Sequence, residues 1–218
     1  MKVLTLTKFL LILILPFLLF LIFFDYFSFN GSFYKERFSE YKIQQDVYNA
    51  TSLHEKVINF VKGKNNELPG EFNDREKQHL LDVRKILNAL TILLYILIAM
   101  FILLVMIAGF SLKVNNHIIN FVGKILVFGG VLTILLAALL FFLTISDFSS
   151  TFESFHKLFF EKGTYIFDPA KEIIVRLYPE QLFMDLGLRI SKGVIISSVA
   201  VILLGILLLF KSKKQKNK

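Results

Sequence analysis

Four apolar blocks, residues 9–24, 86–112, 121–145 and 193–210, constrain this chain more than any other feature. Each approaches the roughly 20 residues an α-helix needs to cross about 30 Å of hydrocarbon. None contains an acidic residue, and only Lys124 intrudes, near one end of the third. With 55% hydrophobic residues gathered this way, a soluble multidomain protein is excluded. The expectation is an all-α polytopic membrane protein: four transmembrane helices with a helical extracellular cap at the membrane interface. The first block, in residues 1–24, reads as a retained anchor. A cleaved signal peptide needs small residues at its cleavage site, whereas here the bulky run Asp25-Tyr26-Phe27 follows.

Charge fixes the expected orientation. Segments 25–85 and 146–192 hold all 17 acidic residues, balanced by 10 and 6 basic ones, and together they make up 108 residues. The nine remaining basic residues are Lys2, Lys8, Lys113, Lys124, Lys211, Lys213, Lys214, Lys216 and Lys218, and no acid accompanies them. The positive-inside rule therefore places both termini, the 113–120 turn and the 211–218 tail in the cytoplasm. The tail reads as a topology anchor attracted to anionic lipid, not a nucleic-acid arm. Function is expected in the two outer segments. A membrane centre without ionisable residues argues against a pump, proton relay or channel.

Nineteen of the 32 aromatic residues fall in these outer segments, which suits a helical cap lying on the membrane. In the first, Ser52 with Glu55 has capping-box spacing, and a helix with the apolar face Leu53, Val57, Phe60 and Val61 should follow, ending at Gly63. Asn73 with Glu76 repeats the spacing and should start a helix running through His79 and Asp82 into the second span. In the second, Phe152, Phe155, His156, Phe159 and Phe160 share one helix face. Asp168-Pro169 reads as the start of another helix, Tyr178-Pro179 as its end, and Gly187 as the end of a last short helix.

His117 lies in the cytoplasmic turn, and His54 points away from its helix's apolar face, toward solvent. His79 and His156 differ. Each occupies a face directed at the membrane boundary, and each has carboxylates one turn away: Glu76 and Asp82 for the first, Glu153 for the second. A neighbouring carboxylate can orient an imidazole and tune its protonation. Zero cysteines exclude a thiolate nucleophile, and the scattered histidines make no zinc site, so neither metal nor cofactor is expected. The chain has no nucleophile elbow, P-loop or dinucleotide fingerprint. Two histidines without a protein nucleophile suit a substrate that brings its own, the enzyme moving protons and holding an oxyanion.

Glu76-x-x-His79-x-x-Asp82-Val83 before a span, then Phe152-x-x-Phe155-His156-x-x-Phe159-Phe160, Phe167-Asp168-Pro169 and Tyr178-Pro179-Glu180 before the last span, resembles the bacterial lipoprotein intramolecular transacylase (Lit) family. The resemblance covers most of the chain. It departs at Tyr165, where tryptophan is expected, and at Glu172, where aspartate is. The resemblance implies an enzyme of the bacterial cytoplasmic membrane with its active site on the extracellular side. Its substrates would be lipoproteins anchored among membrane lipids by a diacylglyceryl-modified N-terminal cysteine. It would move the sn-2 acyl chain onto the cysteine α-amine, giving the lyso form. His79 and His156 would be catalytic, in a confined aromatic site to which Phe152, Phe155, Phe159, Phe160, Tyr165 and Phe167 contribute. From spacing alone, and not from the resemblance, Asp82 or Glu76 would orient His79, Glu153 would serve His156, and Tyr165 would contribute a hydroxyl. Two alternatives stay open: a non-enzymatic accessory or receptor protein whose aromatic cap docks a partner, and a membrane acyl hydrolase or intermolecular acyltransferase.

Overall fold

A computed structural model describes residues 2–112, 115–161 and 163–216; Lys113 of the expected turn and Lys218 of the expected tail lie outside them. The described residues are helical without strands. In chain order the helices are α1 (Lys2–Ser28), α2 (Gly31–Glu40), α3 (Ile43–Asp46), α4 (Ala50–Val61), α5 (Asp74–Leu112), α6 (Asn115–Ser146), α7 (Phe148–Phe159), α8 (Ile173–Leu177) and α9 (Glu180–Lys216). Four of them, α1, α5, α6 and α9, are long and apolar enough to cross a membrane. The chain divides into two units.

The first unit comprises residues 1–24, 92–142 and 189–218. Its helices approach closely through small residues. A Cβ on Gly130 of α6 would lie 2.6 Å from Ile202 of α9, and one on Gly129 would lie 2.7 Å from Leu15 of α1. Between apolar helices surrounded by lipid, such close backbone contact supplies the van der Waals attraction that hydrophobic burial does not. Buried hydroxyls are satisfied within their own helices: Thr133 donates to the Gly129 carbonyl and Ser198 to that of Val194.

The second unit comprises residues 25–91 and 143–188, two excursions of the chain. Phe38, Phe60, Phe72, Leu177 and Leu182 are the large enclosed apolar side chains among its described residues. Polar stitches join the excursions. Asp185 accepts from Arg37 and from the Tyr41 hydroxyl, at 3.0 and 2.6 Å.

The caps decide where the helices of this unit begin. Asn73 and Glu76 form the expected reciprocal box. The Asn73 side chain accepts the Glu76 N–H at 2.9 Å, and the Glu76 carboxylate accepts the Asn73 N–H at 2.7 Å. From there α5 runs unbroken past His79 and Asp82.

Three local expectations are corrected. Ser52 is not an N-cap. The helix starts at Ala50, with Asn49 in the left-handed region that asparagine tolerates, and the Asn49 carbonyl already takes the Leu53 N–H. Asp168-Pro169 does not open a helix. The Asp168 carboxylate accepts the Ala170 N–H and its carbonyl accepts from Lys171 and Glu172, closing a separate turn; α8 begins only at Ile173. Gly187 does not end a helix. It lies within α9, where burial of Leu182 and Leu186 outweighs the roughly 1 kcal/mol cost of an interior glycine.

Candidate active site

His79 sits on α5, five residues beyond its first, and is 7% exposed. His156 sits in the last turn of α7. The second unit brings the two imidazoles face to face, with ring centroids 6.2 Å apart and planes 18° from parallel. A wall of rings encloses them. Phe160 lies 4.7 Å from His79 and 5.3 Å from His156, Phe167 meets the His79 ring edge-on at 5.3 Å, and Phe152 and Tyr165 lie 4.3 and 5.3 Å from His156. Phe160 reaches both imidazoles from an unexpected position. The helix ends at Phe159, and Phe160 follows in extended conformation as its C-cap.

A backbone carbonyl orients one imidazole. His156 Nδ1 lies 2.7 Å from the Phe152 carbonyl oxygen. A carbonyl only accepts, so Nδ1 carries the proton, and in the neutral ring Nε2 keeps a free lone pair. Burial lowers the His156 pKa below its ordinary value, and the Phe152 carbonyl partly offsets that. The ring is therefore neutral near pH 7, a state suited to accepting a proton. The His79 Nδ1 atom is buried without a hydrogen-bond partner among the described residues. Two imidazolium charges at this separation would repel, so the pair favours at most one proton beyond neutrality.

The other expected site residues divide. Phe155 packs against His156 at 5.6 Å, while Phe159 stacks on Phe155 at 4.8 Å and reaches the imidazoles only through it. The nearby carboxylates make their bonds elsewhere. Asp82 pairs with Lys85, Glu153 pairs with Lys157 on the exposed side, and both oxygens of Glu76 accept backbone N–H groups, from Asn73 and Ile174. No cluster of three or more potential metal ligands occurs among the described residues.

His54 was expected at the surface and is buried. Its Nδ1 lies 3.0 Å from the Tyr178 hydroxyl, its ring lies 4.1 Å from Tyr34, and Phe38 meets it edge-on at 5.5 Å. Burial pushes its pKa down to about 4 and raises that of Tyr178. Arg75 and Glu172 were not singled out as site residues, yet they border the ring wall. Arg75 donates to the Ile166 carbonyl, lies over the Phe167 ring at 4.9 Å and pairs with Glu172 at 3.2 Å. These partners lie 91 and 97 residues away along the chain, beyond the reach of any local pattern.

The sequence pattern of the lipoprotein intramolecular transacylase Lit family matches residues 6–183. The chain belongs to that family. The solved structure of the membrane-integral Lit from Bacillus cereus is similar to it, with a TM-score of 0.82 and 21% identity over 96% of this chain and 97% of that one. A mutated form of the Bacillus cereus Lit gives a TM-score of 0.79 with 20% identity, over 97% and 94% of the two chains. At this identity the likeness shows a shared membrane-protein fold. An uncharacterized protein of Aquifex aeolicus is 28% identical over 139 residues; the match spans 64% of this chain and about half, 55%, of that relative's length.

Proposed function

We propose that the protein is a lipoprotein intramolecular transacylase, moving the sn-2 acyl chain of a diacylglyceryl-cysteine lipoprotein onto the cysteine α-amine to give the lyso form. The observation that carries this reading is the facing pair His79 and His156, 6.2 Å apart inside a ring wall. Membership of the Lit family supports it.

The substrate supplies the nucleophile and the electrophile. An N-terminal amine has a pKa of about 8, so the fraction that has lost its ammonium proton is the reactive one. Its nitrogen attacks the sn-2 ester carbonyl, and His156 takes a proton from that nitrogen at Nε2, the atom its Phe152 bond leaves free. His79, on the facing side, holds the developing oxyanion with a ring N–H, and the His156 imidazolium hands the proton it took to the glycerol oxygen as the C–O bond breaks. An N–C bond replaces an O–C bond, and one proton passes from the amine to glycerol oxygen. Neither water nor an external acyl donor is consumed. The surrounding phenylalanines hold amine and ester in near-attack geometry and exclude water that would hydrolyse the ester.

The nine lysines outside the two acid-bearing segments support cytoplasmic termini and a site on the outer face of the bacterial cytoplasmic membrane, at the depth of lipid esters. Mass spectrometry of lipoprotein N-termini from cells with and without the protein tests the function. Unchanged total acyl mass with one chain moved from ester to amide is the expected result. Loss of a chain would indicate a hydrolase, gain of one an intermolecular transferase, and no difference a non-enzymatic protein.

A further inference from the structure

We infer that Arg75 and Glu76 form a two-residue latch that holds the 166–174 segment against the His79 face, making Arg75, Glu76 and Glu172 positioning residues for the reaction proposed above. Both latch residues lie in the first turn of α5, one turn before His79, so their contacts register the segment to the helix that carries the imidazole.

Arg75 grips the segment at three chemically different points. Its guanidinium donates to the Ile166 carbonyl, covers the face of Phe167, and pairs with the Glu172 carboxylate. A planar, forked cation serves all three at once, which a lysine ammonium does not. Glu172 is buried and passes the hold along: its Oε2 accepts the Asp168 N–H at 2.6 Å, closing the turn that follows Phe167. Glu76, 1% exposed, spans the far end. One oxygen caps α5 through Asn73 N–H and the other accepts the Ile174 N–H at 2.8 Å, where α8 begins. Ile166, Asp168 and Ile174 are thus fixed by hydrogen bonds, and Phe167 is clamped between the Arg75 cation and the edge of His79. None of the three charged side chains has a ring or hydrogen-bond contact to an imidazole in this arrangement. They act through where they put Phe167.

The test compares Arg75→Ala and Glu172→Gln with the unaltered full chain in detergent. Arg75 is half-exposed, so its removal leaves the buried Glu76 box intact. Hydrogen exchange at the backbone amides of 166–172 is expected to quicken about tenfold in Arg75→Ala while α4 amides are unchanged, and the melting temperature should stay within a few degrees. On a diacylglyceryl lipopeptide, kcat should fall about tenfold to a hundredfold with KM within about threefold, the mark of misplacement and not of lost binding. Glu172→Gln, which keeps an acceptor for the Asp168 N–H, should show a smaller loss of the same kind. Unchanged exchange in 166–172, or kcat within twofold of the unaltered protein, overturns the latch. If the unaltered protein leaves the acyl chain on glycerol, the transacylase reading fails instead, and the exchange comparison still decides whether the latch exists.

Discussion

The second unit contains two histidine clusters built from similar parts, one buried around His54 and one half-buried around His79 and His156, and they differ in what is left over. His54 is buried: Tyr34 packs on it, Phe38 meets it edge-on, and the Tyr178 hydroxyl bonds Nδ1. His79 and His156 are also walled by rings, yet they face each other, and His79 keeps a buried nitrogen unpartnered. A buried polar atom without a partner costs on the order of 1–3 kcal/mol. The contrast sets an imidazole packed and hydrogen-bonded into the unit against the pair proposed above to carry the chemistry.

The largest expected effect breaks the contrast from the reactive side. His79→Ala and His156→Ala should each lower turnover of a diacylglyceryl lipopeptide by about 10²–10⁴, as loss of a general acid or base does, with melting temperatures close to the unaltered protein's. Activity retained in either folded variant would remove the distinction. From the structural side, His54→Ala should cost about 3 kcal/mol, since it leaves a void between Tyr34 and Phe38 and strands the Tyr178 hydroxyl. Turnover per folded molecule should hold, and denaturation combined with active-fraction assays reads both quantities.

Acid titration sharpens the same comparison. The His54 pKa falls from 6.5 to about 4 on folding, so below 6.5 the unfolded chain binds a proton that the folded one refuses. Stability from this group is complete above pH 6.5 and is lost as pH falls toward 4, by at most about 3 kcal/mol. His54→Phe, which cannot titrate, should flatten that part of the stability profile; an unchanged slope would show that another group carries it. Smallest is Tyr178→Phe, which removes one hydrogen bond and should cost about 1 kcal/mol in a melt without altering turnover.

What was legible in the sequence was what short-range physics settles. Long acid-free apolar runs marked the four candidate spans, and Asn73 and Glu76 cap each other within three residues. The catalytic candidates were found by pattern too, because His156 shares a helix face with Phe152 and Phe155. The misreadings needed distant partners. His54 points away from its own helix's apolar face, and it is buried by Tyr34 and Phe38 of another helix together with Tyr178, 124 residues later. Asp168-Pro169 looked like a helix start, whereas Glu172, paired with Arg75 97 residues away, folds back onto the Asp168 N–H. Apart from these, a helix carbonyl bonds His156, and Glu76 reaches 98 residues along the chain to the Ile174 N–H, a contact no local pattern shows.

The two excursions that build the second unit set an order in time. A nascent polypeptide that has emerged only as far as residue 91 has made His79 and its capped helix start but lacks His156 and every phenylalanine of the ring wall. The second imidazole arrives 77 positions later, after the α5–α6 hairpin has been synthesised. Unfinished chains of that length therefore carry His54 and His79 without His156, and the facing pair forms only once translation has passed the later excursion.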